Sequence, residues 1–168
     1  MGPRLRKFAL SVHLTCSVGW IGAVLAYLAL GGRAAISHDA QAIRSSWTAM
    51  ELIGWYVIVP LALTSLSTGL VMALGTKWGL LRHYWVLISL GLTVSATAVL
   101  LLHMPTVSAT AELVQRMDGD GLEELGGDLL HPGIGLIVLV VVQTLNLYKP
   151  PGMTPYGWRK QQRESAAR

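Results

Sequence analysis

Four of the five histidines lie in or at the ends of long apolar segments, where imidazoles can bind a cofactor. His13 lies on the first segment and His83 precedes the third. His103 ends the third segment and His131 begins the fourth. Two histidines near each surface of a four-helix bundle are typical of a protein that holds two b-type haems between imidazole pairs. The spacing therefore predicts haem b, with His13, His103 and His131 as candidate ligands.

Helical periodicity makes His83 the weaker ligand. His83 and His103 are 20 residues apart, so at about 100° per residue they point to opposite sides of an ideal helix. The face of His103 also carries the small residues Ser89 and Ala96, which should pack inside a bundle. His83 is instead expected in the aromatic belt at the membrane surface, beside Tyr84.

His103 and His131 form the stronger pair, because both lie at the same depth near the outer surface. Glu51 begins the second segment at that level, and its carboxylate can fix the ligating tautomer of either imidazole. Met50 and Met104 add thioethers, which together with imidazole favour Cu(I). These two methionines and the two histidines are therefore a candidate copper site. An interhelical hydrogen-bond network without a cofactor is the third interpretation.

His13 belongs to an inward-facing stripe on the first segment, which also includes Trp20. Trp20 is expected to flank the flat ring of a haem bound by His13. Gln143 lies at a matching depth on the fourth segment, and interhelical hydrogen bonds of this kind contribute about 0.6–2 kcal/mol in membranes. A His13–Gln143 hydrogen bond therefore explains both residues without a cofactor.

Composition and segment length place these residues in a membrane. Of the 168 residues, 52% are apolar and only 13% are charged, whereas a soluble domain carries about 25% charged residues. A bilayer core needs roughly 20 helical residues per crossing. We therefore expect an all-α integral membrane four-helix bundle, with spans at about residues 8–30, 52–74, 84–104 and 129–148. Pro60 should kink the second span.

Charge placement predicts that both termini are cytoplasmic. With a cytoplasmic N-terminus, ten of the 13 basic residues lie inside and eight of the nine acidic residues lie outside. Such a Lys/Arg bias orients membrane proteins. Residues 105–128 are expected as an outer loop, with a short surface helix over 108–117 and a glycine-rich link to residue 128. Residues 149–168 are expected as a basic cytoplasmic tail that contacts anionic lipid.

Two segments resemble a known group of membrane proteins. Residues 13–22, HLTCSVGWIG, resemble the first helix of CopD-like copper-resistance domains and of HemJ-like protoporphyrinogen oxidases. Residues 75–85, GTKWGLLRHYW, with HMP at 103–105, are similar to four-helix bacterial membrane proteins of the same neighbourhood. The resemblance implies a membrane bundle in a bacterial inner membrane, in which His13 binds haem or lies on a copper pathway.

Three functional classes follow from these expectations. The first is a haem b protein that transfers electrons to a quinone or another redox partner. The second is a copper transport or homeostasis protein, and the third is a structural or accessory subunit without a cofactor. The basic charge is explained by the lipid surface, and the sequence carries no nucleic-acid-reading motif. A single copy and a homo-oligomer both stay open.

Overall fold

The computed structural model describes residues 2–75, 79–117 and 121–166, and these residues form an all-helical structure. The helices are α1 Pro3–Ile36, α2 Ala40–Ile53, α3 Val59–Gly75, α4 Tyr84–Arg116, α5 Leu130–Tyr148 and α6 Pro155–Ala166. A π-helical turn, Gly54–Ile58, joins α2 to α3 without a break, and a 3-10 turn, Leu122–Leu125, precedes α5. The all-α prediction is confirmed.

Four segments of the described chain are long and apolar enough to cross a membrane. They are Pro3–Ile36, Ala40–Gly75, Tyr84–Arg116 and Leu122–Tyr148. Each predicted span lies within one of them, so the chain is a multi-pass membrane protein. Because four crossings return the chain to its starting side, α6 lies at the same end of the bundle as the start of α1. We call the opposite end the distal end.

Helix α4 continues well past the predicted third span. It has 33 residues and is about 50 Å long, whereas a bilayer core is about 30 Å thick. Pro105 was expected to end this helix but lies inside it, because a proline removes only one hydrogen bond of the helical ladder. The expectation of a loop from residue 105 is therefore wrong, and the predicted surface helix over 108–117 is the last part of α4.

The best-buried part of the core lies at the distal end and explains why α4 continues. On each of α2 and α4, buried side chains recur every three or four residues and so form one face of the helix. The two faces pack against each other. These side chains are all at most 5% exposed: Ile43, Trp47, Met50, Met104, Val107, Ala111 and Val114. The Arg44 Nε also donates to the Val114 carbonyl at 3.0 Å. Packing of this kind offsets the hydrogen bond lost at Pro105.

The irregularity expected from Pro60 occurs on its N-terminal side as the π-helical turn. The Val59 amide donates to the Gly54 carbonyl, five residues back. A side chain at Gly54 would collide with Met104, since an added Cβ would lie 2.5 Å from the Met104 Cε. The turn therefore places the backbone of Gly54, which has no side chain, against α4 at the depth of the distal core.

The residues before α5 approach α1 through two glycines. An added Cβ at Gly31 would lie 2.7 Å from the Asp128 carbonyl oxygen, and one at Gly127 would fall on the Gly31 carbonyl. Either side chain would push residues 127–128 away from α1. The two glycines therefore determine where Asp128 lies.

The C-terminal tail is partly folded onto the turn between α3 and α4. Thr154 donates its amide to the Arg82 carbonyl at 3.0 Å, and the Arg82 guanidinium pairs with Glu164 at 3.0 Å. Gly157 packs directly on the Arg82 carbonyl. The expected basic tail over 149–168 thus contains a helix, α6, that is attached to the bundle.

We expect Gly127→Ala to lower the free energy of unfolding by about 1–3 kcal/mol, because an overpacked contact forces the backbone to move. The measurement is thermal unfolding in detergent micelles. Gly133→Ala is the matched control, since an added Cβ there meets no described atom within 4 Å. Equal melting temperatures for the two variants would contradict the close contact.

Candidate metal centre

Asp128 is the centre of a polar cluster at the distal end. The His103 Nε2 donates to Asp128 Oδ2 at 2.7 Å, and the Tyr27 hydroxyl donates to the same oxygen at 2.8 Å. The Asp128 side chain is only 9% exposed, and Tyr27 is buried. Two charge-assisted hydrogen bonds therefore compensate a carboxylate that is largely removed from water.

His131 completes the cluster from the second position of α5. Its ring stacks on the His103 ring, with centroids 3.9 Å apart and planes 21° apart. Its Nδ1 lies 3.8 Å from Asp128 Oδ1, and among the described residues this imidazole makes no hydrogen bond. The side chain is 49% exposed, so the ring is accessible to a ligand from outside the protein.

Three donor atoms converge in this cluster. One ring nitrogen each from His103 and His131 and one carboxylate oxygen of Asp128 lie within 4.8 Å of one another. Two imidazoles and one carboxylate are a donor set found in zinc enzymes and in non-haem iron sites.

The structure brings His103 and His131 together but pairs them with a different carboxylate from the one expected. Glu51 is half-buried, and its carboxylate makes no hydrogen bond or ion pair with the described residues. Asp128 was placed in a flexible link before α5, because its glycine neighbours are typical of loops. One signal was present, since Asp128 and His131 are three residues apart at a helix start and can share one face.

The two methionines of the copper interpretation lie in the apolar core. Met50 and Met104 are 0% and 1% exposed, respectively. Met104 follows His103 and lines the cavity beneath the cluster, whereas Met50 packs in the core between α1, α2 and α4. A thioether site at the outer surface is therefore not formed in this arrangement.

His13 lies toward the other end of the bundle and bonds to α3. Its Nδ1 lies 3.0 Å from the Ser65 carbonyl, which requires the Nδ1–H tautomer, and 3.1 Å from the Thr68 hydroxyl. The hydrogen bond expected between His13 and Gln143 is not formed, and the ring N–H is donated to the Ser65 carbonyl instead. Gln143 lines the same small cavity, which has a volume of about 30 Å³, so the predicted match in depth holds.

Trp20 lies between this small cavity and a larger one at the distal side, and it lines both. His83 lies outside both cavities, immediately before α4, where its backbone forms an antiparallel bridge with Met153. The length of α4 up to residue 103 separates it from the cluster by about 30 Å. His83 therefore does not join the other candidate ligands.

The larger cavity has a volume of about 370 Å³ and lies directly beneath the cluster, between α1, α4 and α5. Its walls are mostly apolar side chains. Its polar groups are concentrated at the distal end, where Tyr27, His103, Asp128 and His131 all contribute. The cluster is thus exposed on one side, through His131, and faces an apolar chamber on the other.

A haem does not fit between these histidines as they are arranged. Trans axial ligands point their nitrogens at one iron from opposite sides, whereas the rings of His103 and His131 stack face to face. The His13 ring borders a cavity of about 30 Å³, which has room for only a few water molecules. In this arrangement His103 and His131 do not form an axial pair, and the haem assignment stays a prediction.

Comparison with protein-family models, with curated proteins and with solved structures finds no match for the chain. The resemblance to CopD-like and HemJ-like proteins stays a prediction. Function is therefore inferred from the cluster and its cavity.

We expect Tyr27→Phe to lower the free energy of unfolding by about 1.5–3 kcal/mol, the range for a hydrogen bond to a charged group. The loss arises because the Asp128 carboxylate keeps its burial but loses one donor. Thermal unfolding in micelles measures it. Tyr56→Phe is the control, since Tyr56 is 78% exposed, and its melting temperature should match that of the wild type. A Tyr27→Phe variant as stable as the control would contradict the hydrogen bond.

Proposed function

We propose that the chain binds one divalent transition-metal ion through His103, Asp128 and His131, and that it acts in membrane redox chemistry. The observation that carries this proposal is the convergence of three donor atoms within 4.8 Å. The donors come from α4, from the first turn of α5 and from the residue two positions before α5, and the distal core and the glycine contact hold these parts together. A site preorganised in this way loses little conformational entropy when an ion binds.

The donor set supports a non-haem metal ion in preference to haem or copper. A carboxylate and two imidazoles suit iron(II) and zinc, and they leave open coordination positions for a substrate. The ion would replace the proton between His103 Nε2 and Asp128, so its binding should release protons. Tyr27 would then hold the ligating carboxylate in place through its remaining hydrogen bond, as outer partners of metal ligands do.

The charge distribution supports a cytoplasmic position for both termini, in the inner membrane of a bacterium. Basic residues are concentrated at the end of the bundle that carries α6, and acidic residues at the distal end. The proposed metal centre would then face the outer side of this membrane. Metal would reach it through the exposed edge of His131.

We expect the purified wild-type chain to bind about one zinc ion, and His131→Ala to weaken binding by about 100-fold, because one of three ligands is lost. Zinc is the probe because it uses the same ligands and has no redox chemistry. Isothermal titration in detergent gives the affinity and stoichiometry.

His38→Ala is the matched control for this titration. His38 also lies at the distal end and pairs with a carboxylate, that of Glu123 at 2.9 Å, but its side chain is 87% exposed. This variant should bind zinc as the wild type does. A wild-type affinity no tighter than that of His131→Ala would contradict the proposed metal centre.

Cysteine labelling tests the orientation. In a Cys16→Ala background, a cysteine replaces either His38 at the distal end or Ser165 on α6. Both positions are exposed. In intact cells, a membrane-impermeant maleimide should label only the cysteine at position 38, and the one at 165 should react only after lysis. The reverse pattern would overturn the proposed orientation.

A further inference from the structure

The chamber beneath the cluster is shaped for a flat, uncharged ring. Its volume of about 370 Å³ is at the lower end of the range for small-molecule sites, about 300–1,000 Å³. Trp20 and Tyr27 provide aromatic walls on α1, and aromatic side chains favour stacked or edge-on contacts with another ring. Small residues on the opposite helices, Ala96 and Gly135, provide the remaining space.

The chamber is open on its α4–α5 side. Val99 and Ile134 line it, yet they are 51% and 55% exposed. These residues belong to helices that cross the membrane, so the opening faces the acyl chains of lipid. A ligand can therefore place its ring inside while a long apolar tail remains in the bilayer.

The polar end determines what head group the chamber accepts. His131 offers a ring nitrogen, and Asp128 Oδ1 offers an acceptor that is 3.8 Å from that ring. A carbonyl can accept from the imidazole, and a hydroxyl can donate to the carboxylate. In the metal-free site a fatty acid is disfavoured, because its carboxylate would lie beside that of Asp128.

From these contacts, we infer that the chamber binds the head group of an isoprenoid quinone or its quinol. The ring lies against Trp20, its oxygen faces the cluster, and the tail leaves between α4 and α5. This inference rests on the proposed function, because the metal ligands form the polar end of the chamber. It adds the substrate class, a lipid-soluble two-electron carrier.

The test is equilibrium binding of decylubiquinone to the purified full chain, with zinc binding measured on the same samples. Gly135→Leu fills the chamber, and we expect it to weaken quinone binding by about tenfold or more while zinc affinity is unchanged. Gly133→Leu is the matched control, because Gly133 is on the same helix but does not line the chamber. It should bind quinone as the wild type does.

Three outcomes would overturn the inference. They are no quinone binding by the wild type, equal quinone affinities for Gly135→Leu and Gly133→Leu, and displacement of quinone by equimolar oleate. Ala96→Leu fills the chamber from α4 and should reproduce the loss if Gly135→Leu fails to fold. If the wild type binds quinone but not zinc, the metal centre is contradicted and the quinone site is not. The two proposals can therefore be contradicted separately.

Discussion

The buried carboxylate of Asp128 is the constraint on which the distal half of this protein depends. A charged group that is 9% exposed in a mostly apolar setting is costly unless it is hydrogen-bonded. Its two strong partners come from different helices, Tyr27 on α1 and His103 on α4, while Asp128 itself precedes α5. The carboxylate therefore connects three helices at one point. His131 is placed beside that point by the first turn of α5.

The position of Asp128 in turn depends on contacts that contain no functional group. Gly31 and Gly127 allow the backbone before α5 to touch α1. The apolar contacts of α2 with the second half of α4 hold that half of the helix against the bundle beyond Pro105. Small residues between α4 and α5 leave a chamber where tight packing was expected. The same features thus position the ligands and create the space beneath them.

The four crossings and the pairing of His103 with His131 are predictable from the sequence, because hydropathy and depth depend on local composition. Asp128 and the extension of α4 are not predictable from local signals alone. Glycines next to Asp128 and a proline at 105 are typical of loops, and only tertiary packing reverses both tendencies. The hydrogen-bond partner of His13 was also missed. Depth along the helices does not show that the Ser65 carbonyl, and not Gln143, accepts the ring N–H.

X-ray absorption at the zinc edge tests the central claim most directly. For the zinc-loaded chain, the account predicts nitrogen and oxygen neighbours at about 2.0–2.1 Å, with the outer-shell scattering of two imidazoles. The His131→Ala variant should show only one imidazole. A first shell that contains sulfur, or one with no imidazole scattering, would contradict a centre formed by His103, Asp128 and His131.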